Sequence, residues 1–144
     1  MQQKKSASTD DLFLMLENET DLSANWEHLS EHMDAPSFHE YLYSLTSERK
    51  INIRELSVRA LLSRSFTYQI FSGDRVPGRD IILRIAVALS LSQDETQRLL
   101  KLADRGALYP RVKRDSAVIF ALSNKYDLYQ TDELLTSLGL GSLI

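Results

Sequence analysis

The feature that most constrains this chain is the spacing of its apolar residues. They recur at i, i+3 and i+4 from end to end, and no run sustains the period-two alternation that a half-buried strand requires. Leu12, Met15 and Leu16 form a first stripe, in a helix predicted near 9–18. Leu22, Trp26, Leu29 and Met33 form a second, in a helix that ends before Pro36. Ser37-Phe38-His39-Glu40 has the spacing of a capping box and opens a helix turning Phe38, Tyr41, Leu42 and Leu45 inward. Asn52 sits at the cap of a short helix near 53–60. Another runs over 63–72 and stops at Gly73, which tolerates the positive φ of a helix exit. After the loop 73–78 come a helix near 79–90 and a second capping box, Ser92 to Glu95, leading to Leu99, Leu100 and Ala103. A loop over 105–110 precedes two more striped helices, near 111–123 and 130–138. The expectation is an all-α chain.

Length and composition narrow the function classes. At 144 residues, 43% hydrophobic and 26% charged, the chain buries roughly 68–70% of its unfolded surface without a metal or disulfide. It has no cysteine, so thiol catalysis and thiolate metal sites are excluded. Arg84 interrupts the longest apolar run, so no segment is expected to span a bilayer. The polar start Met1–Lys5 lacks the pattern of a signal peptide, and a soluble, cytoplasmic protein is expected.

The net charge of −3 hides a strong asymmetry. Residues 1–48 carry 2 basic and 10 acidic groups, net −8. Residues 49–84 carry 8 basic groups (Arg49, Lys50, Arg54, Arg59, Arg64, Arg75, Arg79 and Arg84) against 3 acidic ones, net +5, and residues 85–144 carry 7 of each. A basic centre between acidic flanks points toward a polyanionic partner.

A shift of 35 residues pairs Arg79-Asp80 with Arg114-Asp115, Ala86 with Ala121, Leu99-Leu100 with Leu134-Leu135, and Leu108 with Leu143. One reading is a helical hairpin used twice, 105–144 repeating 79–108. The other is that any two amphipathic hairpins share leucines at similar spacing.

Signals of catalysis are few. His28-Leu29-Ser30-Glu31-His32 matches the H-x-x-E-H spacing of inverted zinc peptidases. A zinc site needs a third ligand, and His39 and Glu40 lie beyond Pro36, so the reading taken is a solvated helix face with no metal. Phosphate-cradling glycine loops and nucleophile elbows are missing from the sequence. Neither enzyme chemistry nor a cofactor is expected.

The stretch from Asn52 to Leu89 combines two short helices, a tight turn at Leu61-Leu62-Ser63, and the basic maximum of the chain. That is a helix-turn-helix pattern, in which the second helix enters the major groove and its first residues reach base edges. Arg64 and Ser65 stand at that N-terminus, with Tyr68 and Gln69 one turn on. Arg reads guanine and Gln reads adenine, each by paired hydrogen bonds.

Residues 51–103 resemble the Xre-type, lambda-repressor-like family of DNA-binding regulators. The resemblance rests on Leu56, the Leu62-Ser63 step, Ile70, Gly73, Pro77 and Ile85-Ala86-x-Ala88-Leu89 before a capped helix. Tyr68 to Gly73, Arg79-Asp80, Leu108-Tyr109-Pro110 and Arg114-Asp115 also resemble a bacterial subgroup with an extra C-terminal helical pair. The resemblance implies a five-helix helix-turn-helix domain over 37–104, an acidic N-terminal helical segment over 1–36, and a C-terminal hairpin over 105–144. It implies base reading by Arg64, Ser65, Tyr68 and Gln69, with Ser63 at the turn and Arg75 in the following loop, and phosphate contacts by Asn52 and Arg79. The chain departs from the family at Ile53, where Gln is frequent, at Leu61, where Gly is frequent, at Ser57 for Ala, and at Phe71 for Glu.

The function expected is therefore sequence-specific binding of double-stranded DNA by a bacterial transcriptional regulator, as a homodimer, with further protein contacts through the acidic segment or the C-terminal hairpin. The alternative is a helix-turn-helix fold used as a protein–protein adaptor.

Overall fold

A computed structural model describes residues 7–144. The polar start Met1–Lys5 lies outside the described residues. Among these, all regular structure is helical: α1 (Thr9–Glu17), α2 (Trp26–Ser30), α3 (Phe38–Glu48), α4 (Ile53–Arg59), α5 (Arg64–Ser72), α6 (Arg79–Ala88), α7 (Gln93–Leu102), α8 (Lys113–Ser123) and α9 (Leu128–Ser137). None of them is long and apolar enough to cross a membrane. The chain forms two compact units, one ending at Ala35 and one running from Pro36 to Ile144.

The first unit holds α1, capped by Ser8, and α2. The stripe Leu22, Trp26, Leu29 and Met33 does not become one helix. Residues 22–25 turn, α2 has only five residues, and Trp26 and Leu22 stay exposed while Leu29 is buried. Asp21 helps hold the turn: its carboxylate accepts the Ala24 amide and its carbonyl the Asn25 amide. His28 and His32 stand edge to face at 5.8 Å, and Nδ1 of His32 accepts the Ala7 amide at 3.0 Å.

In the second unit each helix starts and stops for a local reason. Side-chain oxygens of Ser37, Asn52, Ser63, Ser92 and Asp127 accept amides of the first turns of α3, α4, α5, α7 and α9, the N-cap role these residues favour. At Ser37 the predicted box is only half made. Its hydroxyl accepts the Glu40 amide and donates to the Glu40 carboxylate, which therefore does not close back on the backbone. Ser92 with Glu95, and Asp127 with Gln130, form complete boxes. Lys50, Leu61, Ser90, Asp104 and Lys125, with φ between 52° and 55°, turn left-handed just past their helices, as do Gly73 and Gly139. The amides of Ile51, Leu62, Leu91, Arg105, Tyr126 and Leu140 then bond back to Thr46, Ser57, Ala86, Leu100, Ala121 and Leu135, closing the last turns in the manner of Schellman motifs.

The core is continuous. Phe38, Leu42 and Leu45 of α3, Leu56 of α4, Ile70 of α5, Ile82, Leu83, Ile85 and Ala86 of α6, and Leu99 and Leu100 of α7 are buried together with Val118, Leu122 and Leu135 of α8 and α9. Each large side chain contributes about 1.5–3 kcal/mol.

The 35-residue offset is also an offset of hydrogen bonds. Arg79 donates from Nε to the Gly106 carbonyl (2.9 Å), and Arg114 from Nε to the Gly141 carbonyl (2.8 Å). Arg79 then reaches the Ala107 carbonyl, as Arg114 reaches that of Ser142. Their remaining donors cross over. Arg79 binds both oxygens of Asp115 at 3.0 and 2.8 Å, and Arg114 both oxygens of Asp80 at 2.7 and 3.1 Å. Thr96 and Thr131, both buried, bond back to the carbonyls of Ser92 and Asp127, again 35 residues apart.

The two crossing pairs differ in burial. The Asp115 side chain is 5% exposed and that of Asp80 51%. Burial would push the Asp115 carboxyl up, but the Arg79 hydrogen bonds, the Tyr109 amide and the nearby guanidinium charges bring it below the usual aspartate value. A carboxyl so depressed adds stability above its unfolded value near 3.8, and that stability is lost as pH falls through the lower folded value. Urea unfolding should show Arg79→Ala costing about 2–4 kcal/mol, since it strands a buried carboxylate. Arg114→Ala should cost about 1 kcal/mol. Asp115→Asn should flatten the stability–pH curve below pH 4.

Candidate nucleic-acid interface

The connection between α4 and α5 is short, residues 60–63, and it is held from outside. Arg84 of α6 donates from Nε to the Ala60 carbonyl at 3.0 Å and from Nη2 to the Leu61 carbonyl. Leu61 takes up the left-handed conformation there without being glycine. Ser63 then caps α5 by accepting the Phe66 amide at 3.1 Å.

α5 has two faces. Thr67 and Ile70 are buried, while Ser63, Arg64, Ser65 and Tyr68 are exposed and Gln69 is half-buried. At its far end Gly73 adopts φ 85° with its backbone against the His39 imidazole, where a Cβ would lie 2.8 Å from the ring. The Arg75 amide folds back onto the Gln69 carbonyl, holding the next loop against the helix end. Asn52 caps α4 with Oδ1 on the Glu55 amide at 2.8 Å, which leaves its side-chain NH₂ outward.

The sequence-predicted residues thus fall into two groups. Arg64, Ser65, Tyr68, Gln69 and Arg75 lie on or next to the outer side of α5, with Ser63 and Asn52 at the starts of α5 and α4. Arg79 is elsewhere in its chemistry. Four of its N–H groups are engaged by Gly106, Ala107 and Asp115, so it serves the joint between hairpins.

The same sorting applies to the whole basic centre. Arg49 braces α3 against α7 through the carbonyls of Leu45 and Leu89 and the Glu95 carboxylate, and Arg84 holds the α4–α5 connection. Arg59 pairs loosely with Glu55 at 3.6 Å. Among the described residues, Lys50, Arg54, Arg64 and Arg75 make no side-chain bond or ion pair, and all four are exposed. Lys50 and Arg54, part of the basic centre, are not among the contact residues expected from the sequence; the signal for them is position, since they flank Asn52 at the start of the first helix of the pair.

Beside this face lies a groove of about 490 Å³ lined by His39, Tyr43, Ile53, Tyr68 and Phe71. It shares Tyr43, Ile53 and Phe71 with a smaller one of about 320 Å³ bordered by Lys50 and Asn52. Tyr43 is 66% and Tyr68 55% exposed, so the surface mixes cations with open aromatic rings. Among the described residues, His, Cys, Asp and Glu side chains nowhere gather in the threes a metal ion needs.

Comparison with known proteins finds no matching family model, no matching curated protein and no matching solved structure.

Gly73→Ala should lower stability by about 1–3 kcal/mol, because it combines a left-handed backbone with the clash on His39. His39→Ala should recover part of that loss, measured as coupling in a double-mutant cycle.

Proposed function

We propose that the chain binds double-stranded DNA in a sequence-dependent way, as a helix-turn-helix regulator of transcription acting in the cytoplasm. In this reading α4 and α5 are the two helices of the motif and α5 lies in the major groove. The observation that carries it is the outer row of α5. Arg64, Ser65 and Tyr68 are exposed from the first turn onward, and among the described residues Arg64 is not committed to any internal partner.

Arg64 then reads a base edge, Gln69 and Tyr68 follow one turn on, and Lys50, Arg54 and Arg75 neutralise phosphates. Ser63 and Asn52 still have donors to offer at the helix starts. Arg79 has no part in this contact set, since its guanidinium holds Asp115.

Fluorescence anisotropy of a labelled random-sequence duplex tests the reading. The wild type should bind at low salt with a Kd on the order of 10⁻⁴–10⁻⁶ M, and binding should weaken steeply with salt. Arg64→Glu should abolish it, while Arg114→Ala should leave it unchanged. On a selected sequence, Arg64→Ala should relax preference at one base position by about 1–3 kcal/mol, and Arg75→Ala should weaken all sequences alike. No binding at low salt, or binding indifferent to Arg64→Glu, overturns the proposal.

A second reading draws on the apolar groove of Tyr43, Ile53, Tyr68 and Phe71, a surface suited to a protein partner. An adaptor would lose its partner on Tyr43→Ala or Phe71→Ala and show no salt-dependent affinity for DNA.

A further inference from the structure

We propose that the hairpin α8–α9 occupies, within one chain, the seat of a second copy's α6–α7. The face that α6 and α7 turn toward it is self-complementary, and the partner it fits is another copy of this chain.

The argument is geometric. A two-fold contact between identical units obeys a reciprocity: if residue i of one touches residue j of the other, then j touches i. The joint obeys it between non-identical segments. Arg79 holds Asp115, and the residues 35 places removed, Arg114 and Asp80, hold each other in the opposite sense. The helices follow the same rule: α6 packs on α8, and the cross-contacts α6 on α9 and α7 on α8 are both present. Each arginine is also anchored alike on its own hairpin, on carbonyls 27 and 28 positions downstream. Each hairpin tail is tied 11 positions back, the Leu108 amide to Gln97 and the Leu143 amide to Asp132.

The sequence supplies what exchange requires. Besides the pairs already named, Thr96 with Thr131 and Gly106 with Gly141 coincide at the same offset. In a pair of copies meeting through α6–α7, the other copy's Asp80 takes the place of Asp115, and the other copy's Arg79 that of Arg114. Both crossing ion pairs are then remade as Arg79 to Asp80, twice. While α8–α9 is seated the face is closed, and the chain presents it to no other copy.

Light scattering on the full chain tests this. Leu135→Asp and Val118→Asp each put a carboxylate at a fully buried position of the seated hairpin, so that it no longer packs. Each variant should keep the helical signal of α3–α7 and form particles of twice the wild-type mass. Adding Asp80→Arg should return the mass to that of the wild type, and adding Arg79→Asp as well should restore the pairing. The proposal fails if the mass does not change, if association persists with Asp80→Arg, or if both variants lose their helices at the highest concentration reached.

Discussion

Two arginine–aspartate pairs crossing between α6 and α8 set how α8–α9 sits on α6–α7, and much of what the surface of the second unit offers follows from them. Arg79 with Asp115 is the inner pair and Arg114 with Asp80 the outer one. The inner carboxylate is removed from water and its arginine only partly so, and the planar, two-point geometry of the pair therefore matters. Burying a guanidinium and a carboxylate is favourable only where most of their hydrogen-bonding groups find partners. Here the Gly106 and Ala107 carbonyls and the Tyr109 amide supply them. The connection over 105–110 is thereby fixed, and with it the position of α8–α9 on α6–α7.

That arrangement reshapes the electrostatic argument. Net charge counts every cation equally, whereas the fold assigns Arg49, Arg79 and Arg84 to carbonyls and carboxylates of its own interior joints. Within the basic centre over 49–84, what remains for a polyanion is Lys50, Arg54, Arg64 and Arg75, with Arg59 only loosely paired. These residues cluster in sequence around the starts of α4 and α5 and the loop after α5, and the proposed DNA reading rests on them rather than on the charge total. Arg84 still bears on that reading indirectly, because it holds the turn that sets α5 relative to α4.

The helices of the second unit were legible in the sequence because caps and exits are local chemistry. Ser92 to Glu95 and Gly73 act through bonds spanning a few residues, and their patterns carry over directly. The helix predicted through Leu22 and Met33 was not legible, since a stripe of apolar residues does not reveal that Asp21 ties residues 22–25 into a turn. Leu61, Lys50 and Lys125 show the same limit: a left-handed exit can be imposed by packing on residues that would not choose it. At the candidate site, the outward row of α5 followed from helical periodicity. The fate of Arg79 did not, because its partners lie 27, 28 and 36 positions away, and only the tertiary fold brings them together. The 35-residue repeat carried that information in outline, as a pair of Arg-Asp steps whose purpose was not visible in one dimension.

The most direct test of the account is the slope of log affinity against log salt for wild-type protein on duplex DNA. Each phosphate neutralised contributes about −0.9 to that slope. With four outward cations the predicted slope is about −3.6, and it should be unaffected by Arg114→Ala. A slope near zero would contradict the DNA reading itself. A slope near −7, the value on the order expected if all eight basic groups of the centre were engaged, would contradict the division between inward and outward arginines on which the account depends.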